Sequence, residues 1–150
     1  MIYLVDTNIL LRFADRTHPL HNNIRSQIRQ RREMGDQPVA TAQNYIEFWN
    51  VLTRPLARNG FGLTPSDADR FLQLIERLFP LLSDSPAVYP EWRRLVCQYG
   101  VSGVQVHDVK LVAAMLANQI TTIMTLNVSD FRRYAPEGII ILDPSETASS

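Results

Sequence analysis

Four acidic residues, Asp6, Glu47, Asp108 and Asp130, each lie close to a point where an apolar run gives way to a helix or a loop. Four carboxylates brought together without compensation are costly, because like charges within about 4–6 Å raise one another's pKa and favour protonation. Divalent cations remove that cost. Mg²⁺ or Mn²⁺ prefers hard oxygen ligands and keeps several waters, which leaves room for a phosphate oxygen and an attacking water. Two ions about 3.5–4 Å apart would stabilise both the incoming and the leaving oxygen of an in-line phosphodiester displacement. The chemistry such a set could do is hydrolysis of a phosphodiester by a metal-activated water.

Whether the acids can meet depends on the elements that carry them. Ile2 to Val5 is a short apolar run ending at Asp6-Thr7-Asn8, the pattern of a buried strand followed by a helix start. Ile24, Ile28 and Met34 sit near helical spacing among arginines from Asn22 to Met34, with Gly35-Asp36 closing that helix. Pro38-Val39-Ala40 is a weak second strand. Thr41 can cap a helix with Tyr45, Phe48, Trp49 and Leu52 as its apolar positions, and Glu47 falls on it. Leu56 to Thr64 reads as a loop. Pro65-Ser66-Asp67 opens a helix with Phe71, Leu74, Ile75 and Leu78 on one face, and Phe79 to Leu82 supplies a third strand.

A helix from Pro86 to Tyr99 turns Val88, Trp92, Leu95 and Val96 inward, and Gly100 to Val106 is a turn. From Asp108 the spacing of Leu111, Val112, Met115 and Leu116 is helical, Thr121 to Leu126 is β-branched strand, and Ile139 to Leu142 is a last strand. Strands alternating with helices predict an α/β fold: a mostly parallel central sheet of about five short strands flanked by helices, in α/β/α layers. The expected organisation is one domain over 1–142, with 143–150 a flexible, solvated tail.

In such sheets ligands bind beyond the carboxyl ends of the strands. Asp6 follows the first strand directly, Asp130 follows the Thr121 to Leu126 strand by a short loop, and Glu47 lies about two turns into the helix after the second. A helix running back toward a strand's start begins at the opposite, carboxyl edge, so Asp108 belongs there as well. All four acids can converge.

Asp6-Thr7-Asn8-Ile9-Leu10, the mid-helix Glu47, the Asp108 helix with Leu111 and Ala113-Ala114, and Thr125-x-Asn127-x-x-Asp130-Phe131 together resemble a PIN domain. Their order, spacing and the total length resemble the VapC toxins of bacterial toxin–antitoxin pairs, over Met1 to about Leu142. The resemblance implies a PIN-like endoribonuclease that requires Mg²⁺ or Mn²⁺, forms a homodimer, acts on RNA and is held inactive by a cognate antitoxin. By similarity Asp6 and Asp108 are the principal metal ligands, Asp130 and Glu47 complete the acidic catalytic site, and Thr125 and Asn127 support it by hydrogen bonding. Thr7 and Asn8, directly after Asp6, join the supporting group. Arg12, Arg132 and Arg133, near the acids in sequence, are candidates to hold a scissile phosphate.

The bulk numbers neither oppose nor supply this reading. The chain has 150 residues, 45% of them hydrophobic and 20% charged, an ordinary composition for one domain. A chain of this size buries about 70% of its unfolded surface and needs no structural metal to fold. With 15 acidic and 15 basic side chains the net charge is zero, so any attraction to nucleic acid must be local. Cys97, the only cysteine, excludes an intramolecular disulfide and reads as a small buried apolar residue. MIYLVDTNIL has no basic n-region and no cleavage site, and no uncharged apolar run of about 18 residues exists, so a cytoplasmic protein is expected.

Each acid also has an ordinary explanation: helix caps for Asp6 and Asp108, a solvent-facing position for Glu47, an Asx-turn for Asp130. His107-Asp108 invites comparison with all-helical HD phosphohydrolases, but only His18 and His21 remain as further histidines. Asn8 stands where a haloacid-dehalogenase phosphatase has its second Asp, and Lys110, the only lysine, is misplaced for a phosphate-receiver domain. A metal-free ribonuclease using paired histidines would have to bring His107 to the other two. Arg25, Arg29, Arg31 and Arg32 read as a solvated helix face, and Tyr45, Phe48 and Trp49 as core. The alternative from a different class is a catalytically silent module binding a protein or RNA. Retention of all four acids argues against it.

Overall fold

The computed structural model describes residues 1–146. Its five strands are β1 (Ile2–Val5), β2 (Gln37–Thr41), β3 (Leu81–Leu82), β4 (Thr122–Met124) and β5 (Ile140–Leu142), in spatial order β3-β2-β1-β4-β5. Every pairing is parallel, with Leu4 beside Val39 on one side and Ile123 on the other. Seven α-helices join them: α1 (Thr7–Ala14), α2 (His21–Glu33), α3 (Ala42–Thr53), α4 (Pro65–Leu78), α5 (Val88–Gln98), α6 (Val106–Ala117) and the single turn α7 (Val128–Phe131). The expected mostly parallel sheet is wholly parallel.

Period-two alternation sends side chains of one strand to opposite faces, and two cores result. Tyr3, Val5, Ala40 and Met124 face α1 to α4, where they meet Ile9, Leu10, Ile24, Phe48 and Ile75. Leu4, Val39 and Ile123 face α5 and α6, with Leu95, Val112, Phe131 and Tyr134. Helices on both faces cover a sheet whose β1 is buried on both sides, which explains why that strand reads as an unbroken apolar run.

The winding fixes the place of the site. From β1 the chain moves outward to β2 and β3, then returns through α5 and α6 to β4 on the other side of β1 and continues outward to β5. The direction of winding reverses between β1 and β4. Connections there depart to opposite faces and leave a crevice at the carboxyl ends of these two strands.

Three local expectations need correction. On α4 the buried stripe is Ala68, Leu72 and Ile75, continued by Phe79, whereas Phe71 and Leu74 are 36% and 52% exposed. The helix offers two apolar faces, and the one closed by Phe79 packs on α1 and α3. Cys97 is exposed rather than buried, because α5 seats Val88 and Leu95 seven residues apart and Cys97 lies off that line. The helix carrying Asp108 starts two residues earlier, at Val106. Of the segment read as a tail, Asp143 Oδ1 accepts the Ser145 N–H, and the carbonyls of Pro144 and Glu146 accept from Gln27 Nε2 at 2.9 and 3.1 Å. Residues 147–150 lie outside the described residues. Among the described residues no helix is long and apolar enough to cross a membrane.

Candidate active site

Asp6 directly follows β1 and caps α1, its Oδ1 accepting the Thr7 N–H at 2.8 Å. The same carboxylate faces β4: Thr125, the residue after that strand, donates its hydroxyl to Asp6 Oδ2 at 2.8 Å, and Asn8 Nδ2 lies 3.4 Å from the same oxygen. Backbone pairing continues across the crevice, with Asp6 N–H donating to the Met124 carbonyl. Asp6 is therefore fixed by both strands that flank the reversal point, and it is only 5% exposed.

Glu47 reaches the site from α3. Thr41 caps this helix and Asn44 completes a reciprocal capping box, the arrangement that pins the helix start to the end of β2. Asn44 Nδ2 then donates to Thr7 Oγ1 at 3.0 Å, and Thr7 Oγ1 donates to Glu47 Oε2 at 2.7 Å. The other carboxylate oxygen, Oε1, accepts from Gln43 Nε2 at 3.1 Å, and the same nitrogen donates to the carbonyl of His107 at 3.0 Å. The chain of bonds runs from the end of β2 through Asn44, Thr7, Glu47 and Gln43 to the residue before Asp108.

Asp108 lies in the first turn of α6, where the helix dipole favours a negative charge. Asp130 occupies the first turn of α7, its N–H donating to the Asn127 carbonyl, and its side chain is exposed. Electrostatics show that the four acids share one field. Burial, foremost, then the charges of Asp6, Asp130 and Glu47 push Asp108 from its ordinary 3.8 up to about 6, against a small opposing effect of His107. Burial also raises Asp6; its bonds to Thr125 and the Thr7 N–H oppose the rise, and the charges of Glu47 and Asp130 add to it.

All four predicted acids are thus brought to one sheet edge, from the end of β1, the second turn of α3 and the first turns of α6 and α7. Thr7, Asn8 and Thr125 bond within the cluster, and Asn127 contributes through its backbone, its N–H donating to Thr125 Oγ1 at 3.0 Å. Asn8 Oδ1 also accepts the Leu126 N–H at 3.2 Å, which ties the β4 loop to α1. The arginines differ. Arg133 is engaged elsewhere, donating to Gln105 Oε1 and the Tyr99 carbonyl and lying over the Tyr134 ring. Arg12 is at the end of α1 beside Asp15 and His18, and Arg132 is exposed after α7.

Sequence reasoning passed over Gln43 and Asn44. Gln43 precedes Glu47 by four residues, the spacing that stacks side chains on one helix face, and Asn44 stands three after the capping Thr41. Both signals were present, but neither names a partner without the packing of α3 on α1 and α6.

The donors offered are all hard oxygen, suited to Mg²⁺ or Mn²⁺ rather than to a thiolate-seeking ion. Among the described residues no group of three or more His, Cys, Asp or Glu side chains is arranged as a ready-made metal cage. Burial and the neighbouring charges raise the proton affinity of Asp6 and Asp108, and a cation beside them would offset the same repulsion.

Comparison with known proteins agrees with this architecture. No curated protein sequence matches the chain. Among solved structures, VapBC2 from Rickettsia felis bound to a DNA fragment from its promoter is similar at a TM-score of 0.69 and 15% identity, over 95% of this chain and 98% of that one. A toxin–antitoxin complex from Klebsiella pneumoniae is similar at 0.65 and 16%, over 97% and 99%. VapC20 from Mycobacterium tuberculosis, a sarcin–ricin loop cleaving toxin, is similar at 0.60 and 12%, over 93% and 97%. At these identities the likeness is one of fold. The family model for the PIN domain matches residues 3–136, which takes in β1 from Tyr3 on, β4 and all four acids, and the chain belongs to the PIN-domain family.

Proposed function

We propose that this PIN domain is an endoribonuclease dependent on Mg²⁺ or Mn²⁺, hydrolysing RNA phosphodiester bonds with water as the nucleophile, and that it is the toxin of a VapBC-type toxin–antitoxin pair. The observation that carries the reading is the convergence of Asp6, Glu47, Asp108 and Asp130 in one field at the reversal point of the sheet. Asp6 and Asp108 would hold the cation, with Asp130 as ligand or orienter and Glu47 as ligand or water-positioning base. A bound divalent ion supplies positive charge for the phosphate and acidifies a water. Thr125 and the Thr7 N–H hold Asp6 with both oxygens directed, so its orientation is set before any ligand arrives. Arg12 and Arg132 are candidates to hold the scissile phosphate, whereas Arg133 would first have to leave Tyr99 and Gln105.

The sarcin–ricin loop cleaving toxin and the toxin–antitoxin complex among the similar folds support RNA as substrate and a small antitoxin as partner. We place the active protein in the cytoplasm as a homodimer. Purified protein, freed of any antitoxin, should cleave RNA with Mg²⁺ or Mn²⁺ and lose that activity in EDTA. Equal cleavage in EDTA contradicts the proposal.

A further inference from the structure

Gln43 makes contacts that a surface glutamine on a helix does not need. Its Nε2 donates to Glu47 Oε1 at 3.1 Å and to the His107 carbonyl at 3.0 Å, joining α3 to the first turn of α6. Its own Oε1 is buried and has no hydrogen-bond partner among the described residues. An amide usually escapes such a position by exchanging its oxygen and nitrogen. Here it cannot, because both neighbours are acceptors: a carboxylate and a backbone carbonyl. The orientation is fixed by what it holds, and the stranded oxygen is the cost, since a buried acceptor without a donor is unfavourable.

The two groups held are informative. One is the acid of α3; the other is the carbonyl of the residue immediately before the acid of α6. With Thr7 donating to Glu47 Oε2, both oxygens of Glu47 are clamped, from α1 on one side and from its own helix on the other. Asp6, by contrast, is held through β1 and β4. Asp108 has no side-chain hydrogen bond of its own among the described residues; Trp92 Nε1 anchors the start of its helix to α5 through the Val106 carbonyl at 2.9 Å, and Gln43 ties the next residue to Glu47.

We infer that Gln43 is a positioning residue of the acidic site, fixing the Glu47 carboxylate and the first turn of α6 in the relation that a divalent cation held by Asp6 and Asp108 beside Glu47 requires. This role rests on the metal-dependent reading of the site. Residues that orient metal ligands from behind change metal affinity or activity by about 10–100-fold when removed.

Gln43→Met keeps length and volume and removes both the donors and the stranded oxygen. A residue whose task was only to join two helices would, when so replaced, lower the melting temperature and leave cation affinity alone. The positioning role gives the reverse. The metal-free variant should melt at or above the wild-type temperature, while its Mn²⁺ dissociation constant, measured by calorimetry, should rise at least about tenfold. RNA cleavage should lose kcat with KM unchanged. Wild-type and Gln43→Met proteins binding Mn²⁺ within twofold of each other would overturn the role while leaving the metal-dependent reading intact. Absence of Mn²⁺ binding by the wild-type protein would overturn both.

Discussion

Asp108 and Asp6 are carboxylates whose surroundings favour their neutral form, and the direction of that shift determines how pH acts on them. A carboxyl that binds its proton more tightly folded than unfolded adds stability below its unfolded pKa, near 3.8, and loses it as pH rises through the folded value, about 6 for Asp108. The metal-free protein should therefore carry a loss of stability between pH 4 and 6.5 that Asp108→Asn removes. Urea midpoints for the two proteins across that range measure it; parallel curves would show that Asp108 binds its proton no more tightly in the folded protein than in the unfolded chain. A saturating divalent cation should abolish the difference for wild type by binding the charged, folded form. At this scale the acids were legible because their types and flanking runs stand in the sequence. Gln43 was not, since a polar residue on a helix acquires meaning only from what lies across from it. Cys97 shows the same limit in reverse: Leu95 and Val96 beside it are apolar, yet one further step of 100° around α5 takes Cys97 into solvent.

Elements place these residues through their ends. Thr41 caps α3 by accepting the Asn44 N–H, while the Asn44 side chain accepts the Thr41 N–H and hydroxyl. Both side chains are buried, at 3% and 0% exposure. Thr41→Ala should cost roughly 1–2 kcal/mol, read as a lower urea midpoint at unchanged slope. An unchanged midpoint would mean the cap does not hold the helix. The cap was readable because Thr before an apolar-periodic run is a start signal with a mechanism. The start of α6 was less so: Gln105 precedes it with no side-chain cap, and a short 3-10 turn at Gly103–Gln105 leads into it. The face of α4 was misread because Phe71, Leu72, Leu74, Ile75 and Leu78 fit two stripes equally well. Only packing on α1 and α3 selects the one ending at Phe79, whose carbonyl accepts the Tyr45 hydroxyl.

The whole molecule turns four dispersed acids into one group. Parallel strands in the order β3-β2-β1-β4-β5 put the ends of β1 and β4 side by side although 119 residues separate Asp6 from Thr125. The alternation of strands and helices was enough to infer a parallel sheet and the edge that carries the acids. Strand order was not legible, since β3 is two residues long and only the side-by-side pairing of β1 with β4 reveals where the winding reverses. Residues acting as a single catalytic unit are non-additive: the first loss removes most of what the unit does, and a second adds little. The decisive measurement is RNA cleavage by Asp6→Asn, Asp108→Asn and the double variant, with folding checked by circular dichroism. If the four acids form one site, each single change should lower kcat/KM by roughly a thousandfold or more, with the double variant within a few-fold of the singles. Small single losses that multiply in the double variant, or wild-type rates in either single variant, would contradict the account.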